Sequence, residues 1–126
     1  MRTKLIFYFS LLIFITTIIH GCYYDEEIIY EGLPQNVSLK NDVTPIFTRN
    51  CSITGCHDAV PAHAPSLVPE NAYNALLNGG YINTIDPVNS TIYREVASGN
   101  MPPSGPISVN DQKIILAWIT EGAQDN

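Results

Sequence analysis

Three residues in the middle of the chain carry the clearest chemistry. Cys51, Ser52, Ile53, Thr54, Gly55, Cys56 and His57 form a run of two thiols with an imidazole directly after the second. Covalent haem attachment requires this arrangement, because two thiols add across the vinyl groups on one porphyrin edge while the following histidine lies under the iron as a proximal ligand. The usual spacer between the thiols is two residues. Here it is four, and Gly55 allows the longer loop to bulge without strain. Two other chemistries use subsets of the same residues. A disulfide between Cys51 and Cys56 would close a small loop in an oxidising compartment and leave His57 without a role. A zinc site would have to draw on Cys51, Cys56, His57 and His63 and keep its thiols reduced.

A second group downstream complements the first. Met101 sits in Gly99, Asn100, Met101, Pro102, Pro103, Ser104, Gly105. Methionines are packing residues more often than ligands, but this one lies in a proline-bounded loop rather than on an apolar helical face, where its thioether could close the sixth iron position. His63 competes for that position. It follows His57 by only six residues, too near along the chain to reach easily around a porphyrin, and reads as an exposed loop residue.

Helices are the elements that would position these side chains. Val43, Ile46 and Phe47 make one apolar face behind a cap at Asn41 or Asp42, with Pro45 fitting only a first turn, and this helix leads directly into Cys51. Glu70 to Leu77 reads as a second helix stopped at Gly79 and Gly80. Asn89 to Ala97 reads as a third, with Ile92, Tyr93 and Val96 on one side. Ser108 and Asp111 resemble a capping box before Ile114, Ile115, Trp118 and Ile119, and Gly122 ends this last helix. No stretch alternates apolar and polar residues long enough to argue a sheet. The expected class is all-α, about four short helices joined by long, proline-rich loops. So small a domain has little apolar surface to bury, which calls for something more to fill its middle.

The chain's beginning has a different character. Arg2 and Lys4 precede an apolar run from Leu5 to Ile19, 15 residues long, which ends at His20, Gly21 and Cys22. That is a signal-peptide pattern, too short for a spanning helix. Ile18 to Cys22 resembles a bacterial lipobox, with His20 departing from the usual small residue, and implies lipidation of Cys22. Several acyl chains there would tether the protein stably to a bilayer. The expected organisation is a signal peptide over 1–21, an acidic tether over 22–39 and a domain over 40–126.

From Cys22 onward, Lys40, Arg49, Arg94 and Lys113 stand against all 12 acids, a formal charge of 4 minus 12, or −8. That balance argues against nucleic acid as a partner, and the acids are spread along the chain as a solvated surface would have them.

The domain resembles a class I cytochrome c, of the kind found in bacterial envelope lipoproteins. The resemblance covers about two thirds of the chain and rests on Val43, Pro45, Ile46 and Phe47, then Cys51, Cys56 and His57, then Met101, Pro102, Pro103 and Gly105, and last Ala117, Trp118, Ile119, Glu121, Gly122 and Ala123. It implies one covalent haem c with His57 and Met101 as axial ligands, crossed first and last helices with Phe47 near Trp118, and a proline carbonyl, of Pro61 or Pro65, orienting the proximal histidine. The implied activity is electron transfer at the cell envelope, periplasmic or at the outer membrane, to a redox partner the sequence does not identify. Two alternatives stay open: a haem enzyme or gas sensor with an open iron position if Met101 does not bind, and a haem-free lipoprotein with a Cys51–Cys56 bridge.

Overall fold

The first helical stretch begins on a polar clasp. Ser38 Oγ accepts from the Asn41 N–H at 3.1 Å, while the Asp42 carboxylate accepts from the Ser38 N–H at 2.8 Å. The cap is thus Ser38, and not Asn41 or Asp42 as expected. Leu39–Val43 forms one wide turn whose amides bond five residues back, Val43 N–H to Ser38 O at 3.2 Å and Thr44 N–H to Leu39 O, and α1 (Thr44–Asn50) continues from it without a break. Pro45 has no N–H to offer the preceding turn. Winding the chain wider just before the ring lets the helix begin earlier than the proline suggested.

A computed structural model of the protein describes Ile6, Tyr30 and residues 32–126. Apart from Ile6, the signal-peptide run, the lipobox and Cys22 lie outside the described residues. Three further helices follow α1: α2 (Ala72–Asn78), α3 (Thr91–Ala97) behind a single tight turn Pro87–Asn89, and α4 (Val109–Thr120). Among the described residues there is no strand, and no helix is long and apolar enough to cross a membrane. α2 starts at Ala72 rather than Glu70, because the amides of Asn71 and Ala72 both turn back to Val68 O. α3 starts at Thr91 rather than Asn89 because the Pro87–Asn89 turn ends at Ser90, whose ψ of 131° is extended.

α4 is capped as the sequence predicts, Ser108 Oγ accepting from the Asp111 N–H at 3.0 Å. Its end is closed by Ala123 N–H to Trp118 O at 2.9 Å and Gly122 N–H to Ile119 O at 3.0 Å, with Gly122 at φ 97°. That paired closure is the usual way a left-handed residue stops a helix.

α4 packs against the wide turn Leu39–Val43, against α3 and against the Pro87–Asn89 turn. Phe47 and Trp118 are both fully buried in the cluster between them, together with Ile115, Ile119, Leu67 and Leu76. Each large apolar side chain so buried contributes about 1.5–3 kcal/mol. The Trp118 indole N–H donates to Gln124 O at 2.9 Å.

Residues 32–39 belong to the folded unit, which spans Gly32–Asn126. Val37 and Leu39 are buried. The Glu121 carboxylate accepts from the Asn36 N–H at 2.7 Å and the Val37 N–H at 2.9 Å. Asn126 takes the next residues: its side-chain oxygen accepts from Leu39 N–H at 2.8 Å and its carbonyl from Lys40 N–H at 3.0 Å.

Candidate functional site

The attachment run begins where α1 stops. Cys51 is the C-cap residue, its N–H and that of Ser52 both bonding to Phe47 O, at 2.8 and 2.9 Å. This places the Cys51 thiol on the rim of the core, where it is buried, whereas Cys56 is exposed. Between them the chain makes a turn closed by Cys56 N–H to Ile53 O at 2.9 Å, with Gly55 at φ 82°, a conformation that favours glycine. The His57 N–H then returns to Cys51 O at 3.3 Å, so the ends of the run meet. The two extra residues of the spacer are absorbed in an outward loop, with Thr54 and Gly55 exposed.

Both thiols are free, with no bond between Cys51 and Cys56. Burial pushes the Cys51 thiol up to about 11, and the neighbouring Cys56 adds to the rise.

The His57 ring is held from behind. Its Nδ1 lies 2.8 Å from Pro65 O. A carbonyl oxygen can only accept, so Nδ1 carries the proton and Nε2 is left as the free lone pair, the tautomer a metal-bound histidine needs. Of the two prolines considered, Pro65 supplies the carbonyl. A second bond, Leu67 N–H to His57 O at 2.8 Å, fixes the backbone on the same side. Pro65 and Leu67 are buried, so the imidazole rests on a rigid floor.

Cys51, Cys56, His57 and Met101 line one cavity of about 420 Å³, open to solvent and walled mostly by apolar atoms. Further parts of its wall come from the α3 residues Ile92 and Glu95, from Tyr81 and from the loop Met101–Ser104. Met101 is positioned by its own N–H, which donates to Glu95 O at 3.0 Å, and it is 37% exposed. His63 is exposed, as its sequence position suggested, and also reaches this cavity. Among the described residues no three or more His, Cys, Asp and Glu side chains converge to hold a bare metal ion.

The spacing of Cys51, Cys56 and His57 is consistent with a haem-attachment run, and the residues present fit such a group. Both thiols reach one cavity, the adjacent imidazole has its far nitrogen free, and the walls offer apolar surface of a size usual for cofactor sites, about 300–1,000 Å³.

Sequence reasoning missed Asp58. Its carboxylate accepts from the Gly55 N–H at 2.9 Å and the Val60 N–H at 3.1 Å, and its carbonyl accepts from Ser66 Oγ at 2.7 Å. The signal available was an aspartate directly after the motif and three residues past its glycine.

No family model, no curated protein and no solved structure matches this chain.

Proposed function

We propose that this domain carries one covalently attached haem c and passes single electrons at a bacterial cell envelope, where lipidation of Cys22 tethers it. Cys51 and Cys56 are the attachment residues, and His57 and Met101 the axial ligands. The observation that carries the reading is the 2.8 Å bond from His57 Nδ1 to Pro65 O in a cavity shared by both thiols and Met101. A disulfide bridge would not require that orientation of the imidazole.

When bound, such a haem supplies one-electron exchange at iron, and histidine–methionine ligation raises its reduction potential. The chain's own part is to hold and insulate. Pro65 O keeps the His57 proton on Nδ1 and strengthens Nε2 as a donor. Ile92 and Leu67 contribute apolar wall against which the haem face would pack. Met101 comes from a loop bounded by Pro102 and Pro103, which restricts the motion of its backbone. The role is that of a carrier rather than a catalyst, with a redox protein as partner.

The 37% exposure of Met101 supports a second reading, an open iron position that takes a small ligand, as in an enzyme or gas sensor. One set of measurements separates these readings: visible spectra of protein matured with a haem c assembly system, in both oxidation states, with a pyridine haemochrome and a haem-stained denaturing gel. Covalent haem with a weak sulfur-to-iron band at the red edge of the oxidised spectrum supports the carrier. Covalent haem without that band favours the open site, and absence of haem defeats both.

A further inference from the structure

The four-residue spacer poses a geometric problem that the loop around Asp58 answers. Cys51 is held by the end of α1, since its N–H bonds to Phe47 O at 2.8 Å. Cys56 has no such support. It is exposed and lies beyond a left-handed glycine, and its own N–H reaches only to Ile53 O within the same turn. With two residues more than the usual spacer, the second thiol has a wider range of positions available.

Asp58 closes that range. One carboxylate oxygen takes the Gly55 N–H at 2.9 Å, directly before Cys56, and the other takes the Val60 N–H at 3.1 Å. The side chain thereby joins the attachment loop to the segment that follows it. The backbone of Asp58 is anchored in turn, its carbonyl accepting from Ser66 Oγ at 2.7 Å, and Ser66 Oγ accepts from Asn71 Nδ2 at 3.2 Å at the start of α2. A path of hydrogen bonds therefore runs from buried Ser66 to the residue next to the second thiol.

We propose that Asp58 is a positioning residue for haem attachment, which compensates for the long spacer by holding Gly55 and so presenting the Cys56 thiol at the place a two-residue spacer would put it. This rests on the haem reading above. In the attachment step the S–H bond of Cys56 and the π bond of a vinyl group are exchanged for a C–S and a C–H bond, with no net oxidation. Asp58 takes no proton in it. Its effect is on where the sulfur stands.

The test uses the full chain matured with a haem c assembly system, and reads the fraction of each cysteine in thioether linkage by peptide mass mapping. In Asp58→Ala the Cys56 linkage falls about threefold to tenfold, as loss of a charge-assisted hydrogen bond at a solvent-exposed site implies, while the Cys51 linkage stays near its original level. Deleting Thr54 and Gly55, which leaves a two-residue spacer, restores the Cys56 linkage in the same Asp58→Ala background. In haem-free protein, amide exchange at Gly55 and Val60 quickens in Asp58→Ala while the amides of α4 keep their protection.

An unchanged Cys56 linkage in Asp58→Ala, an equal loss at both cysteines, no rescue by the shortened loop, or unchanged exchange at Gly55 would each overturn the proposal and leave the haem reading intact. Absence of covalent haem from the parent protein would overturn both.

Discussion

His57 and Pro65 are joined through the imidazole Nδ1 and a backbone carbonyl at 2.8 Å, across a loop that also carries Asp58 and His63. The relationship leaves Nε2 as the ring's only coordinating atom, and it comes from a main-chain group that side-chain substitution does not remove. His57→Ala therefore has a defined outcome. With the proposed haem, thioether linkage to Cys51 and Cys56 would still form but the iron would lose its proximal ligand, and the matured variant should show a high-spin spectrum in place of sharp low-spin bands.

Met101 lines the same cavity as His57 and is the proposed second axial ligand. Met101→Ala opens the sixth position and removes the sulfur-to-iron band, and Met101→His lowers the reduction potential by on the order of 0.1 V, since axial ligands span roughly 0.8 V among haem proteins. Redox titration against the parent protein measures the shift. A potential unchanged in Met101→His would mean that this thioether is not a ligand.

The thiols of the haem-free chain differ in environment, and pH reveals it. Cys51 is held protonated up to about 11, first by burial and then by the neighbouring Cys56. A thiol whose folded value is raised supports the fold fully below its ordinary value of about 9, and that support is lost as pH rises toward 11, because the unfolded chain ionises first. Urea midpoints should thus fall between pH 9 and 11, and fall less in Cys51→Ala. At pH 8 an alkylating reagent should modify exposed Cys56 at least about tenfold faster than Cys51, as thiolate availability and access both dictate. Equal rates would contradict the burial of Cys51 at the end of α1.

How far the sequence foretold these features depends on the kind of interaction. The apolar faces of α1, α3 and α4 were legible because Ile46, Phe47, Ile92, Val96, Ile115 and Trp118 recur at helical spacing and are all buried. The Ser108 cap was legible because it is a local side-chain pattern. Residues 32–39 were not, because they are irregular chain held through backbone amides, to Glu121 and Asn126 more than 80 residues away, and such an amide looks much the same whatever residue carries it. For the same reason the choice between Pro61 and Pro65 depended on the path of the loop. The Ser38 start was hidden by Pro45, whose effect the wide turn absorbs.

Glu121 gives that amide-held segment a test. It sits at the C-terminal end of α4, where the helix dipole disfavours a negative charge, and its two bonds to Asn36 and Val37 offset the disadvantage. Glu121→Ala should destabilise the protein by about 1–2 kcal/mol and release residues 32–37 to proteolysis, and Glu121→Gln, which keeps an acceptor, should cost about half as much. Chemical denaturation and amide exchange at Val37 provide both readings.

Gly79 ties a helix end to the cavity wall, and not through positive φ, since its φ is −80°. A β-carbon there would overlap the Tyr81 ring and stand 2.7 Å from Ala75 O, a backbone atom of α2 that cannot move aside cheaply. Tyr81 lines the cavity, and its carbonyl accepts from the Ile92 N–H at 3.2 Å in α3. Gly79→Ala must therefore displace either the end of α2 or the Tyr81 ring. Overpacking of this kind costs about 1–3 kcal/mol, and a displaced ring would also change the near-ultraviolet circular dichroism and the width of the cavity. Gly80→Ala is the control: no neighbour lies within 4 Å of its β-position, and its φ of 70° brings only backbone strain of about 1 kcal/mol. Haem incorporation should fall in Gly79→Ala and hold in Gly80→Ala. Equal incorporation in the two variants would mean that the Tyr81 ring does not shape the cavity.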